Sequence, residues 1–232
     1  MEKVKTVEAH ADFIRSIIVH PTEPYVISSS DDAKIKIWNY EKDFSLVRTL
    51  DEHKHFVMSL AFNPKDLTKF GSTSMDKTIK IWNLTTEGKA NFTLQGHKGS
   101  VNTIDFYKGD KPHLVTGSDD HTIKIWDYQT RQCLHTLEVY KLAITSVQYH
   151  PDLPLLISTA EDGLSLIHHS GNYTLLNSLE YNLGMGWSAA ISSENSNVIG
   201  LGFDEGSVLI KVGSDEPVVT MHNGKILYTK NM

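Results

Sequence analysis

The chain has 232 residues, 40% of them hydrophobic and 22% charged, which suits one large all-β domain or two small ones with a buried core. The formal net charge is −6 and the sequence has no basic stripe, so a nucleic-acid-binding function is not expected. There is neither a signal peptide at the start nor a stretch of ~20 apolar residues, and a cytosolic protein is therefore predicted.

A short apolar and basic pattern that ends in tryptophan recurs along the chain. It reads KIKIW at 34–38 and TIKIW at 78–82 and 122–126, and its tryptophans are 44 residues apart. An aspartate precedes each tryptophan by six residues, and the aspartate series continues at intervals of 42 residues. These aspartates are Asp32, Asp76, Asp120, Asp162 and Asp204. Such a period is typical of WD repeats, each of which forms a blade of four antiparallel strands.

The elements within one repeat follow a common order. A first strand, as at 13–19, ends at a His-Pro or Asn-Pro turn, and a small apolar strand follows, as at 25–28. After an aspartate turn, the alternation of lysine and isoleucine at 34–37 predicts a half-buried strand. A looser outer strand completes the unit, as at 132–137, where Cys133, the single cysteine, is expected to be buried. No internal disulfide is possible, which is consistent with a reducing compartment.

The sequence thus predicts an all-β protein, a WD-repeat β-propeller of about five four-stranded blades over residues 1–221. Residues 222–232 are predicted to be a tail that starts a following segment. Propellers usually close into rings, and two arrangements are open. Residues 4–7 could complete the last blade of a five-bladed ring, or the chain could be a section of a larger, incomplete seven-bladed ring, which the outer-strand character of the first residues favours.

Four polar side chains per unit are predicted to form a buried hydrogen-bonded tetrad. A turn aspartate can bond a histidine, the histidine a hydroxyl, and the hydroxyl an indole N–H, which ties three strands together. The predicted tetrads are His10/Ser28/Asp32/Trp38, His53/Ser72/Asp76/Trp82 and His97/Thr116/Asp120/Trp126.

The fourth and fifth units depart from this pattern. Tyr140 stands near the histidine position and His168 at the tryptophan position of the fourth unit. In the fifth unit Ile210 is predicted at the tryptophan position and Gly200 at the hydroxyl position. These blades are expected to depend more on apolar packing than on the tetrad.

Several stretches outside the repeat pattern carry a more specific resemblance. They include residues 8–16, 19–26, 55–58, 62–66, 91–94, 110–112, 124–129 and 202–206. Together they resemble the coatomer beta-prime family, whose members belong to the COPI vesicle coat. The resemblance covers essentially the whole chain and corresponds to the later five blades of that family's first, seven-bladed propeller.

The resemblance implies a non-enzymatic coat scaffold that recognises dilysine sorting signals in Golgi-to-ER and intra-Golgi transport. The implied partners are other coatomer subunits and the cytosolic tails of membrane cargo. The implied location is cytoplasmic and peripheral on Golgi membranes and COPI vesicles, with membrane contact only through the coat.

The resemblance also implies a peptide site on the face formed by the loops before each first strand and after each second strand. Asp12, Asp31 and Asp119 match lysine-binding carboxylates, and Arg15 would orient a carboxylate or meet the peptide. The family's remaining basic contacts lie in its first two blades, so the chain is expected to carry part of the pocket and to bind the signal weakly or not at all.

Two other functional classes are less consistent with the sequence. A different WD-repeat adaptor, in a ligase or signalling complex, would share the fold but not the stretches outside the repeats. An enzyme would need a nucleophile and base or clustered ligands, and the sequence has no Gly-x-Ser-x-Gly, His-Glu-x-x-His or phosphate-loop motif. No catalytic residue, metal or cofactor is therefore predicted.

Overall fold

The computed structural model describes residues 5–86, 88–192 and 194–213, and the backbone of 219–222 and 225–228. All the regular elements in these ranges are strands, confirming the predicted all-β class, and no described helix could cross a membrane. The first two blades contain β1 Ile14–Val19, β2 Tyr25–Ser30, β3 Ile35–Asn39, β4 Ser45–Leu50, β5 Val57–Phe62, β6 Lys69–Ser74, β7 Thr78–Asn83 and β8 Phe92–Gln95. The next two contain β9 Val101–Phe106, β10 His113–Ser118, β11 Thr122–Asp127, β12 Gln132–Glu138, β13 Ile144–Tyr149, β14 Leu155–Ala160, β15 Leu164–His169 and β16 Leu175–Glu180.

A fifth blade follows, with β17 Gly186–Ile191, β18 Val198–Phe203 and β19 Gly206–Lys211. In every blade the strands pair antiparallel in chain order. The first strands of successive blades contact one another, so β1, β5, β9, β13 and β17 surround a common axis. This is the WD-repeat propeller architecture that the repeat predicts.

The core lies between the blades. One cluster joins Ile27 and Ile35 of the first blade to Val57 and Phe70 of the second, and all four side chains are fully buried. Equivalent clusters join the second blade to the third, the third to the fourth, and the fourth to the fifth. Successive side chains of a strand point to opposite faces of its sheet, so each sheet contributes apolar side chains to the core from both faces.

The fifth blade has two departures from its predicted form. In the described residues it has three strands, because β20 (Val219–His222) pairs with β21 (Lys225–Tyr228) rather than with β19. The predicted boundary at 221/222 falls inside this hairpin. The prediction that Gly200 takes the hydroxyl position was wrong: Ala189, three residues after β17 begins, pairs with Leu201, as Val147 pairs with Ser158 in the fourth blade.

A short turn explains the shifted position. Phe203 pairs with Gly206, so only Asp204 and Glu205 connect β18 to β19. In the first blade the turn from β2 to β3 includes Asp31, Asp32 and Ala33, with a hydrogen bond from the Ala33 N–H to the Ser30 carbonyl (3.2 Å). Removing one turn residue moves Asp204 to the position of Asp31 instead of Asp32. Ile210 still takes the tryptophan position, opposite Ile199.

Two further predictions differ from the structure. Cys133 is exposed rather than buried, because β12 is the outermost strand of its blade and has no sheet beyond it. Residues 5–7 form no strand, and Lys5 instead donates a hydrogen bond to the Asp43 carbonyl (2.8 Å) of the first blade. Val4, the first residue of the closing strand in the five-bladed alternative, lies outside the described residues.

Candidate functional site

The structure joins the four side chains of each predicted tetrad by hydrogen bonds. In the second blade, Trp82 Nε1 donates to Ser72 Oγ (2.8 Å), which lies 2.7 Å from His53 Nε2. His53 Nδ1 lies 2.8 Å from Asp76 Oδ2. Because an indole only donates and a carboxylate only accepts, the serine donates to Nε2 and the histidine donates from Nδ1.

The tetrad of the first blade has the same connections. Trp38 Nε1 donates to Ser28 Oγ (3.0 Å), and this hydroxyl lies 2.8 Å from His10 Nε2. His10 Nδ1 in turn lies 2.8 Å from Asp32 Oδ2. Trp38 and Ser28 are both buried, so the tetrad gives their polar atoms partners that solvent does not supply.

The tetrad of the third blade uses a threonine in place of the serine. Trp126 Nε1 donates to Thr116 Oγ1 (2.9 Å), which lies 2.7 Å from His97 Nε2. His97 Nδ1 lies 2.9 Å from Asp120 Oδ2. The threonine hydroxyl therefore takes the same part as the serine hydroxyls, and the prediction that either residue type can occupy this position agrees with the geometry.

The tetrad aspartates are held in their ionised form. Burial opposes ionisation of Asp76, but hydrogen bonds from His53, Thr78 and the Lys54 N–H outweigh it, so the pKa of Asp76 lies far below its usual value. Asp120 behaves in the same way. Burial also lowers the pKa of His97 despite the nearby Asp120, which keeps this histidine neutral at pH 7.

The fourth blade satisfies its serine differently. The Tyr140 hydroxyl donates to the Ser158 carbonyl (2.9 Å) and lies 2.8 Å from Ser158 Oγ, so tyrosine replaces histidine. His168 is 1% exposed at the tryptophan position, and neither of its ring nitrogens has a hydrogen-bond partner among the described groups. The hydrogen-bonded tetrad is therefore incomplete in this blade.

The tetrads hold the turns that present the predicted site residues. Asp32, Asp76 and Asp120 each accept a hydrogen bond from the backbone N–H two residues later (3.0 Å in each blade), which closes the turn between the second and third strands. Each turn also contains a left-handed residue, such as His121 with φ of 67°. The residue before each tetrad aspartate is thereby fixed at one end of its blade. The loop before the first strand lies at the same end.

A β-bulge near the start of every first strand turns one side chain toward the axis. The bulge residues are Arg15, Met58, Asn102, Thr145 and Trp187. All five line one depression of about 440 Å³, together with three residues that immediately precede a tetrad aspartate or its equivalent. Those three are Met75, Asp119 and Glu161. We call this cavity the axial depression.

Arg15 is paired with one of the predicted carboxylates. Its Nε donates to Asp31 Oδ1 (2.7 Å) and its Nη2 donates to Asp31 Oδ2 (2.5 Å). The Asp31 side chain is 3% exposed whereas the Arg15 side chain is 42% exposed. The hydrogen bond to Asp31 raises the pKa of Arg15, and the charges of Asp31 and Asp12 add to this effect. Asp31 therefore orients the guanidinium and is not itself an open carboxylate.

The other two predicted carboxylates are exposed. Asp119 lines the axial depression and accepts a hydrogen bond from Asn102 Nδ2 (2.7 Å). Asp12 lies in the loop before β1, where its Oδ1 accepts a hydrogen bond from the Phe13 N–H (2.8 Å). The structure thus places Arg15 and Asp119 around one cavity, with Asp31 behind Arg15 and Asp12 on the adjacent loop.

Sequence reasoning missed the members of the depression in the other blades. Trp187 is 51% exposed, and its Nε1 donates to Asp204 (2.5 Å), which lowers the pKa of that aspartate. This pair repeats the Arg15–Asp31 and Asn102–Asp119 contacts of other blades. The sequence contained a signal for these pairs. Each bulge residue precedes the corresponding residue of the turn between the second and third strands by 16 or 17 positions.

Comparison with known proteins identifies the repeat. The family model described as WD domain, G-beta repeat, matches residues 1–39, 44–83, 88–127 and 131–169, which contain β1 to β15. The fifth blade lies beyond the matched residues.

Curated relatives are similar over most of the chain. It is 45% identical over 195 residues to coatomer subunit beta' of Rattus norvegicus, which covers 84% of this chain and 21% of that protein. It is 42% identical over 190 residues to probable coatomer subunit beta' of Schizosaccharomyces pombe, covering 82% and 24%, and 48% identical over 195 residues to coatomer subunit beta'-1 of Arabidopsis thaliana, covering 84% and 21%. The chain thus spans about a fifth to a quarter of the length of these relatives. With its matched repeats and tetrad-bearing blades, this chain belongs to the WD40 repeat family.

Proposed function

We propose that the chain is a non-enzymatic component of the COPI coat that recognises dilysine signals on cargo tails. The similarity to coatomer beta' proteins supports the coat role, with other coatomer subunits as partners and a cytosolic location on Golgi membranes and vesicles. The carboxylates that line the axial depression, Asp119 and Glu161, support peptide recognition, and they are the single observation that carries it.

The charge arrangement suits a basic peptide with a free carboxyl end. Asp119 and Glu161 line the depression, and Asp12 lies exposed near Arg15. In our proposal the lysine ammonium groups pair with Asp119 and Asp12, while Arg15, oriented by Asp31, faces a peptide carboxylate. Trp187 and Met58 supply apolar surface for the lysine methylene groups.

The expected affinity is weak. Each exposed ion pair contributes about 0–1 kcal/mol, and salt screens it, so binding depends on several pairs acting together. We therefore expect binding at low ionic strength that disappears as salt is raised.

Fluorescence anisotropy of a labelled peptide with a C-terminal Lys-Lys-x-x sequence tests this function. The same peptide with serine at both lysine positions is the matched ligand control. We expect binding of the dilysine peptide alone, lost between about 50 and about 500 mM salt. Trp187 is the one exposed tryptophan of the four in the sequence, so its quenching by bound peptide is an independent readout.

Two variants locate the interaction. Asp119→Asn removes a carboxylate from the depression and is expected to weaken binding several-fold. Asp110→Asn removes an exposed carboxylate from the loop between β9 and β10, at the opposite end of the blade, and should leave binding unchanged. Salt-independent binding, or equal affinity for the serine peptide, would refute dilysine recognition.

A further inference from the structure

Each blade places a pair of side chains at the end of the propeller where the axial depression lies. One member is the bulge residue of the first strand, and the other lies in the turn after the second strand. The pairs are Arg15/Asp31, Met58/Met75, Asn102/Asp119, Thr145/Glu161 and Trp187/Asp204. Among these five described pairs, that of the second blade alone supplies neither a charge nor an N–H or O–H group.

The second blade therefore gives the depression an apolar wall. Met58 and Met75 both line the depression, and both are half-buried. Phe56, in the loop before β5, extends this wall toward the first blade. Its carbonyl accepts a hydrogen bond from the Met75 N–H (3.0 Å), and its ring centroid lies 6.0 Å from the guanidinium carbon of Arg15. We call Phe56, Met58 and Met75 the apolar sector.

The apolar sector lies between the two charged groups to which the proposed function assigns opposite ends of the peptide. The first strand of the second blade contacts β1 on one side and β9 on the other. The sector is thus flanked by Arg15 of the first blade and Asp119 of the third, and all three blades contribute to one depression. A peptide whose lysine pairs with Asp119 and whose carboxylate faces Arg15 crosses the sector with the residues that follow the lysine.

The length of a C-terminal dilysine signal fits this path. Two residues follow the second lysine, and in an extended conformation they span about 7 Å. Neighbouring first strands approach one another to within 8 Å between Cα atoms. The flexible four-carbon stem of lysine extends the reach of the peptide toward Asp119.

We propose that the apolar sector selects dilysine signals whose last two residues are apolar. This inference rests on the proposed function and adds a third point of recognition between the two charged ones. Met58 serves these residues in addition to the lysine methylene groups. Because methionine is unbranched and its thioether is polarisable, it packs against side chains of different shapes. The sector therefore favours aliphatic and aromatic residues as a class over polar ones.

The size and the salt dependence of the effect follow from its apolar origin. Complete burial of one leucine side chain corresponds to about tenfold or more in affinity, so partial burial of two is expected to strengthen binding about five- to tenfold. Salt screens the ion pairs but not the apolar contacts. Raised salt should weaken both kinds of peptide while the ratio of their affinities stays nearly constant.

Fluorescence anisotropy with two labelled peptides tests the proposal. One peptide ends in Lys-Lys-Leu-Leu and the other in Lys-Lys-Ser-Ser, each with a free carboxyl end. At about 50 mM salt, where the ion pairs are least screened, we expect the Leu-Leu peptide to bind about five- to tenfold more tightly. A similar ratio is expected at about 150 mM salt, at lower affinity for both peptides.

Variants of the two methionines locate the selectivity. Met58→Gln combined with Met75→Gln keeps the side-chain length but makes the wall polar, so the Leu-Leu peptide should fall to the affinity of the Ser-Ser peptide, which itself stays unchanged. Met58→Leu combined with Met75→Leu should retain the preference. Met185→Gln is the matched control, because Met185 is 42% exposed in the loop before β17 and does not line the depression.

The outcomes separate this proposal from the proposed function. Equal affinity of the two peptides, with binding that still requires the lysines, would overturn the selectivity and leave dilysine recognition intact. Failure of both peptides to bind would refute both. A preference that persists in the double glutamine variant would show that another surface reads these residues. Circular dichroism verifies the fold of each variant, and if the double variant unfolds, the single Met58→Gln and Met75→Gln variants decide by the same comparison.

Discussion

The guanidinium of Arg15 forms a two-point ion pair with Asp31 across the first β-bulge, at 2.7 Å and 2.5 Å. The two partners differ in burial, because the Asp31 side chain is almost enclosed and the Arg15 side chain reaches solvent. Removing Arg15 and removing Asp31 are therefore expected to reduce the stability of the fold by different amounts.

Arg15→Met is expected to destabilise the chain more than Asp31→Asn. The first variant leaves an enclosed carboxylate without its cation, at a cost of about 1–3 kcal/mol, whereas the second leaves a guanidinium that water can solvate. Urea denaturation of both variants measures the difference. Equal losses of the free energy of unfolding would contradict the orienting role of Asp31.

The same serine-to-alanine substitution is expected to reduce the free energy of unfolding by different amounts in the second and fourth blades. Ser72→Ala leaves the indole N–H of Trp82 and the Nε2 of His53 without partners, and is expected to cost about 2–4 kcal/mol. Ser158→Ala is expected to cost about 1 kcal/mol, because the Tyr140 hydroxyl keeps its bond to the Ser158 carbonyl. Thermal or urea unfolding of the two variants checks the ranking, and a larger loss for Ser158→Ala would show that the histidine tetrads do not carry this stability.

The turn after the second strand predicts a contrast between two alanine substitutions. Gly163 has φ of +77°, and a β-carbon there would lie 2.5 Å from the Gly184 carbonyl oxygen. Gly163→Ala is thus expected to cost about 2 kcal/mol. His121 occupies the matching turn position with φ of 67° and already carries a side chain, so His121→Ala should cost less than about 0.5 kcal/mol. Similar melting temperatures for the two variants would be inconsistent with the turn geometry.

Buried His168 predicts a loss of stability in mild acid. Burial lowers the pKa of His168, so the unfolded chain binds the proton more tightly than the folded chain does. Stability from this group is present above about pH 6.5 and declines as pH falls below that value. The free energy of unfolding should therefore fall less in His168→Phe than in the wild type between about pH 7.5 and about pH 5.5. The difference should be at most about 1.4 kcal/mol.

Urea denaturation of the wild type and His168→Phe at both pH values measures this linkage. We also expect the variant to be more stable at the higher pH, because it removes two buried nitrogens that have no partner among the described groups. Some pH dependence should remain, because the pKa of His97 is lowered too. An unchanged pH dependence in His168→Phe would show that His168 is not the responsible group.

The repeat and its tetrads were predictable because their spacing depends on local register. Ser28 and Trp38, ten residues apart, lie on adjacent strands joined by a short turn, so the distance along the chain determines which side chains meet. The same reasoning failed at Gly200, where a turn one residue shorter moved the hydroxyl position to Leu201. Cys133 was mispredicted because the prediction followed the usual burial of cysteine, whereas the outermost strand β12 has no sheet beyond it to cover the side chain.

The sequence by itself determined the blade, because alternating apolar residues, turn aspartates and tetrad spacing are properties of about forty consecutive residues. The tertiary structure alone decided the composition of the axial depression, where side chains from five blades converge although they are far apart in the chain. It also decided which carboxylates stay open and which strand faces are covered. Those properties depend on distances between blades, and they arise only when successive sheets pack around a common axis.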